Sequence, residues 1–142
     1  MCLEKITKIY KKPDPKERVG YKVVTLSIDK KTYESDRMYS GYEKPLKTNT
    51  WLKSKEQTII SGGVEYQSGF HVFTEKEGAN AWASINSGLR YKNEVVVKVI
   101  YRNIVAVGKQ NITMKDYRNC IVAKEMKVIV WNLKNIFKTP KY

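Results

Sequence analysis

Short runs of β-forming residues alternate along the chain with polar, breaker-rich stretches, and one segment has helical period. Residues 1–20 contain Lys11-Lys12-Pro13-Asp14-Pro15-Lys16. Two prolines set among charges predict an extended basic arm, loosely held. Tyr21-Lys22-Val23-Val24-Thr25-Leu26-Ser27 predicts the first strand, and Asp29-Lys30-Lys31 a turn. Residues 32–50 read as irregular, broken at Ser40-Gly41 and Lys44-Pro45, before Trp51-Leu52 returns to the core. Gln57-Thr58-Ile59-Ile60 and Gly69-Phe70-His71-Val72-Phe73 predict two further strands.

The helical segment comes next. Thr74 followed three residues later by Glu77 has the spacing of a capping box, in which each side chain satisfies the other's free backbone N–H. Ala79, Trp82, Ala83 and Ile85 then share one helical face, and Asn86-Ser87-Gly88 supplies a C-terminal stop, so a helix is predicted over about 75–87. Glu94 to Tyr101 is nearly continuous in β-branched residues, which predicts a strand covered on both faces and extended through Ile104–Gly108 past a bend at Arg102-Asn103. Residues 109–119 read as a polar loop, Cys120–Val130 as the last long strand, and Asn132–Lys138 as a short C-terminal helix turn. The pattern predicts a single α+β domain, with a mostly antiparallel sheet of five to six strands and one clear helix.

Length fits that picture, because 142 residues make one domain with a core of its own. No apolar run approaches the roughly 18 residues of a membrane-crossing helix, and the first residues lack the apolar stretch of a secretory leader. Two cysteines, Cys2 and Cys120, cannot make a disulfide scaffold, and a reducing cytoplasm is the expected setting. Charge changes the picture more. Against 14 Asp+Glu stand 27 Lys+Arg, a formal +13, dispersed rather than packed into one tract. Such a surface attracts polyanions at long range, so an anionic partner, nucleotide or nucleic acid, is expected and a membrane is not.

The catalytic inventory is thin. A lone histidine, His71, excludes mechanisms that need two on one chain. There is no phosphate-binding Gly-x-x-x-x-Gly-Lys-Ser/Thr loop, no Gly-x-Gly-x-x-Gly, no Gly-x-Ser-x-Gly and no Cys-x-x-Cys. No cofactor and no metal are expected. Cys120 reads as a small buried apolar residue at the start of a strand. His71 alternates with Phe70 and Val72; with those two facing the core it faces outward, available to a ligand.

Tyrosines adjoin bases repeatedly, and rings that stack on bases beside cations that pair with phosphates are the means by which single strands and nucleotides are held. Strand neighbours point to opposite faces, so the pairs in predicted loops are favoured. The candidate ligand-binding residues are therefore Arg90, Tyr91 and Lys92, Arg102, Lys109, Tyr117 and Arg118, with His71 beside them.

Gly20-Tyr21-Lys22-Val23, Trp51-Leu52, Tyr66, Gly69–Phe73 and Ile121–Met126 resemble small accessory proteins encoded by phages and related prokaryotic viruses, over roughly residues 1–130. That resemblance implies a protein that counters host defence by binding a nuclease, a guide ribonucleoprotein or a nucleotide second messenger. A second likeness is to ADP-ribosyltransferase folds. Gly69-Phe70-His71-Val72-Phe73-Thr74, an Ala-rich helix, Val95–Tyr101 and then Glu125 follow in the order used there. It implies a nucleotide-processing enzyme in which Glu125 steadies a developing positive charge. An ion pair with Lys127, two residues along the same strand, accounts for Glu125 as well. Binding is the favoured reading over an enzyme; a structural virion or assembly part is the third.

Overall fold

The computed structural model describes residues 3–26, 33–35, 46–61, 63–86, 94–113 and 115–129. They form nine strands and one helix: β1 (Lys5–Asp14), β2 (Arg18–Leu26), β3 (Tyr33–Ser35), β4 (Trp51–Lys53), β5 (Thr58–Ser61), β6 (Val64–Gln67), β7 (Phe70–Phe73), α1 (Lys76–Asn86), β8 (Glu94–Thr113) and β9 (Asp116–Ile129). This is a mostly β fold, not the α+β arrangement expected from the sequence. The helix forms close to its expected place, but as an accessory to the sheet. The expected C-terminal helix turn lies outside the described residues.

Strand pairing reaches further than the sequence predicts in two stretches. Residues 5–14, expected in a loosely held arm, pair antiparallel with β8. Residues 109–119, expected as a loop, complete a long hairpin whose β8 and β9 run on to Thr113 and from Asp116. Polar strand residues such as Lys109, Gln110, Asn111 and Asn119 conceal that pairing from any reading of hydrophobic alternation, since ladder bonds come from the backbone.

Seven strands join one sheet in the order β1-β8-β2-β7-β9-β4, with β3 added on β2 and β8 also paired to β9. That last pairing closes β2, β8, β9 and β7 into a ring. β8 is long enough, at 20 residues, to serve two neighbours. Glu94–Tyr101 pair with β2, whereas Ile104–Lys109 pair with β1. The change falls at Asn103, whose φ of 60° lies in the left-handed region that asparagine tolerates better than most residues.

Inside the ring sit Val24, Phe70, Val72, Val97, Val99, Ile121, Ala123 and Met126, all buried. A second cluster joins Leu3, Tyr66, Val105, Ala106, Cys120 and Val122, with Ile59 packed against it, so the β5–β6 hairpin covers part of the long hairpin. The Leu3 backbone N–H donates to the Tyr66 hydroxyl at 3.2 Å. A third cluster sets Ala79 and Ala83 of α1 on Val23, Phe73 and Ile112. The helix starts after Thr74, and the Glu75 carbonyl accepts from Gly78 and Ala79. β1 lies so close to β8 that a Cβ on Gly108 would stand 2.0 Å from the Lys5 carbonyl oxygen.

Candidate functional site

Of the residues singled out by sequence, Arg90, Tyr91 and Lys92 lie outside the described residues. The others are scattered over three environments.

His71 does not face outward. It is 1% exposed, because β7 is buried on both faces. One face fills the ring interior. On the other, His71 stands opposite Val122, a member of the cluster that Leu3 and Tyr66 cover. Neither imidazole nitrogen has a hydrogen-bond partner in the structure. Burial pushes its pKa well below the ordinary 6.5, the positive charge of Lys22 pushes it further, and the Gly69 backbone opposes them. Lys22 is itself buried, and its ammonium donates to the His71 carbonyl oxygen at 2.9 Å. The β2–β7 ladder has a single register pair, Tyr21–Phe73, so this side-chain bond closes a seam that backbone pairing leaves incomplete. Sequence reading missed Lys22, because a lysine in a β run ordinarily reads as a solvated position. Cys120 is fully buried as expected, and burial raises its thiol pKa to about 12.

Lys109, Tyr117 and Arg118 belong to the β8–β9 hairpin rather than to a loop. Tyr117 and Arg118 are strand neighbours and point to opposite faces, so they cannot hold one ligand together. Arg118 is committed to Asp116, with bonds of 2.7 and 3.3 Å, and its stem packs beside Gly78 of α1. Lys109 and Tyr117 do gather with a third residue. Lys5 is the cross-strand partner of Lys109, and its ammonium lies 4.0 Å from the centre of the Tyr117 ring. Nothing in the chain's local pattern marks that grouping, which joins residues 5, 109 and 117 through register.

Arg102 occupies a different place. Its guanidinium lies 3.8 Å from the centre of the Trp51 ring, bonds Glu125 at 3.1 Å and approaches Glu17 at 3.7 Å. Glu125 takes its second bond from the Asn103 side-chain amide. The expected ion pair between Glu125 and Lys127 is replaced by this one, and Lys127 instead lies 5.0 Å from the Trp51 ring centre. Both Glu125 oxygens are therefore accepting from neighbours. Beside them opens a cavity of about 380 Å³, whose lining includes Lys53, Asn103, Lys124 and Glu125. Lys124 is paired across it with Glu56 at 3.3 Å.

Among the described residues no group of three or more His, Cys, Asp or Glu is placed to hold a metal ion. No described helix is long and apolar enough to cross a membrane. No protein-family model, curated protein or solved structure matches this chain.

Proposed function

We propose that the chain binds a phosphate-rich partner, a nucleotide or a nucleic acid, through the lysines of β1 and the adjoining end of β8. The observation that carries this reading is the register pair Lys5–Lys109. Like charges placed directly opposite one another across a ladder destabilise a sheet. Both lysines are exposed, and Lys8, Lys11 and Lys12 continue the positive charge along the same strand. Phosphate oxygens seated between the two ammonium groups relieve their repulsion and reward an arrangement that is unfavourable for the free protein.

The resemblance to virus-encoded accessory proteins makes a host nucleotide messenger, nucleic acid or nuclease ribonucleoprotein the expected target. An enzyme with Glu125 as its acid is less favoured, because both of its oxygens already accept from Arg102 and Asn103.

Titrating the protein with oligonucleotides and with free nucleotides over a range of salt tests the proposal. Nucleic-acid binding through about four to six phosphate contacts gives a log–log salt slope of about −4 to −5. Lys5→Ala and Lys109→Ala each lower affinity and flatten that slope by about 1. A nucleotide pocket instead gives a thermal stability that grows with the logarithm of ligand concentration, with weak salt dependence. Absence of binding to both ligand classes at low salt refutes the proposal.

A further inference from the structure

The outward face of the sheet's other half carries a second pattern, which cross-strand register reveals. Val19 pairs with Ile100, Ile100 with Lys127, and Lys127 with Trp51. Directly opposed residues in antiparallel strands project to the same side, so these four form one row across β2, β8, β9 and β4. Strand spacing makes the row about 14 Å long. The next row contains Arg102, Glu125 and Lys53.

Helix α1 covers this face farther along the strands, where Val23, Val96 and Tyr21 pack against it. It leaves the Val19–Trp51 row open. Val19 is 48% exposed, unusual for a valine in a paired strand, and Ile100 and Trp51 are half-buried. The Arg102 guanidinium stands 3.8 Å from the Trp51 ring centre, and a third of its side chain stays in solvent.

We infer that this row is a stacking platform for single-stranded nucleic acid. The inference rests on the phosphate-binding reading above and adds to it the part of the ligand that the sheet would read. Bases stack on aromatic rings and on guanidinium planes, and aliphatic side chains such as Val19 and Ile100 extend an apolar floor under a neighbouring base. Lys53, Lys98 and Lys127 lie on or beside the row and complement the phosphates. Glu125 holds Arg102 in place, and its charge is offset by that bond. A duplex keeps its bases stacked inside and cannot use such a floor, so the platform confers preference for single strands.

The test compares short oligothymidylate and oligouridylate with a duplex of the same length at fixed low salt. The expected result is tighter binding of single strands. Trp51→Leu and, separately, Val19→Glu weaken single-strand binding by about tenfold or more and leave duplex binding unchanged. Val19 is exposed, so that variant stays folded even where Trp51→Leu loosens the β4 edge. A bromouracil-substituted oligonucleotide crosslinks on irradiation to the peptide that contains Trp51. Equal binding of both forms, with both variants behaving as wild type and crosslinks confined to the β1 lysines, overturns the platform and leaves the phosphate-binding reading standing. If neither nucleic acid nor a free nucleotide binds, both fall together; selective capture of a free nucleotide overturns the platform alone.

Discussion

Acidification between pH 7.5 and 5.0 destabilises this protein through one residue. His71 is the chain's single histidine, and it is buried without a partner for either ring nitrogen. In the unfolded chain its imidazole titrates near 6.5. In the folded chain burial, reinforced by the Lys22 charge, keeps its pKa well below that. The unfolded state therefore takes up a proton that the folded state refuses. Stability is full above pH 6.5 and falls as the pH drops through the window between 6.5 and the folded value. The slope approaches about 1.4 kcal/mol per pH unit within that window, which sets a ceiling of about 2 kcal/mol on the loss at pH 5.0. That is a sizeable share of the roughly 5–15 kcal/mol that holds a domain folded.

Urea unfolding at the two pH values measures the effect, and His71→Leu isolates it. Leucine fills a similar space with no nitrogen to satisfy, so at pH 7.5 the variant is as stable as wild type or more so. Carboxylates titrate alike in both proteins, and the pH-dependent loss in wild type exceeds that in the variant by up to about 2 kcal/mol. An imidazole C–H resonance that titrates near 6.5 in the folded protein, or equal pH dependence in the two proteins, refutes the burial argument.

Two other consequences follow from packing. Gly108→Ala places a methyl group 2.0 Å from the Lys5 carbonyl oxygen, too close for β1 to keep its register. It lowers stability by about 1–3 kcal/mol and speeds amide exchange in Lys5–Ile9 ahead of the rest of the sheet; intact protection there counts against the close approach. Cys120, with its thiol pKa near 12, stays protonated at pH 8. In a Cys2→Ser background it resists a thiol-specific reagent until urea unfolds the chain, and rapid labelling of the native protein contradicts its burial.

Local chemistry made much of this fold legible from sequence. The helix of residues 76–86, the strands at 58–61 and 70–73, and the bend at Arg102-Asn103 each depend on neighbours within a few positions. Turn formers, period and β-branching report such features directly. Composition likewise exposed the positive charge and the scarcity of catalytic groups. Register was hidden, because it depends on which strand lies alongside. It turned a polar stretch at 109–119 into the tip of a hairpin and paired residues 5–14 with β8. It also separated Tyr117 from Arg118 and brought Lys5 to Lys109.

Burial of His71 was hidden for the same reason. Alternation within β7 tells which residues share a face, but not that a second layer from Leu3 and Tyr66 closes over the other face. The mostly β class follows too, since the added strands carry polar side chains and gain their place through backbone hydrogen bonds that leave no trace in hydropathy. Sequence alone determined the local elements and the excess of cations. Tertiary pairing decided which cations are neutralised, which oppose one another, and which lie over the Trp51 ring, because those relations join residues far apart along the chain.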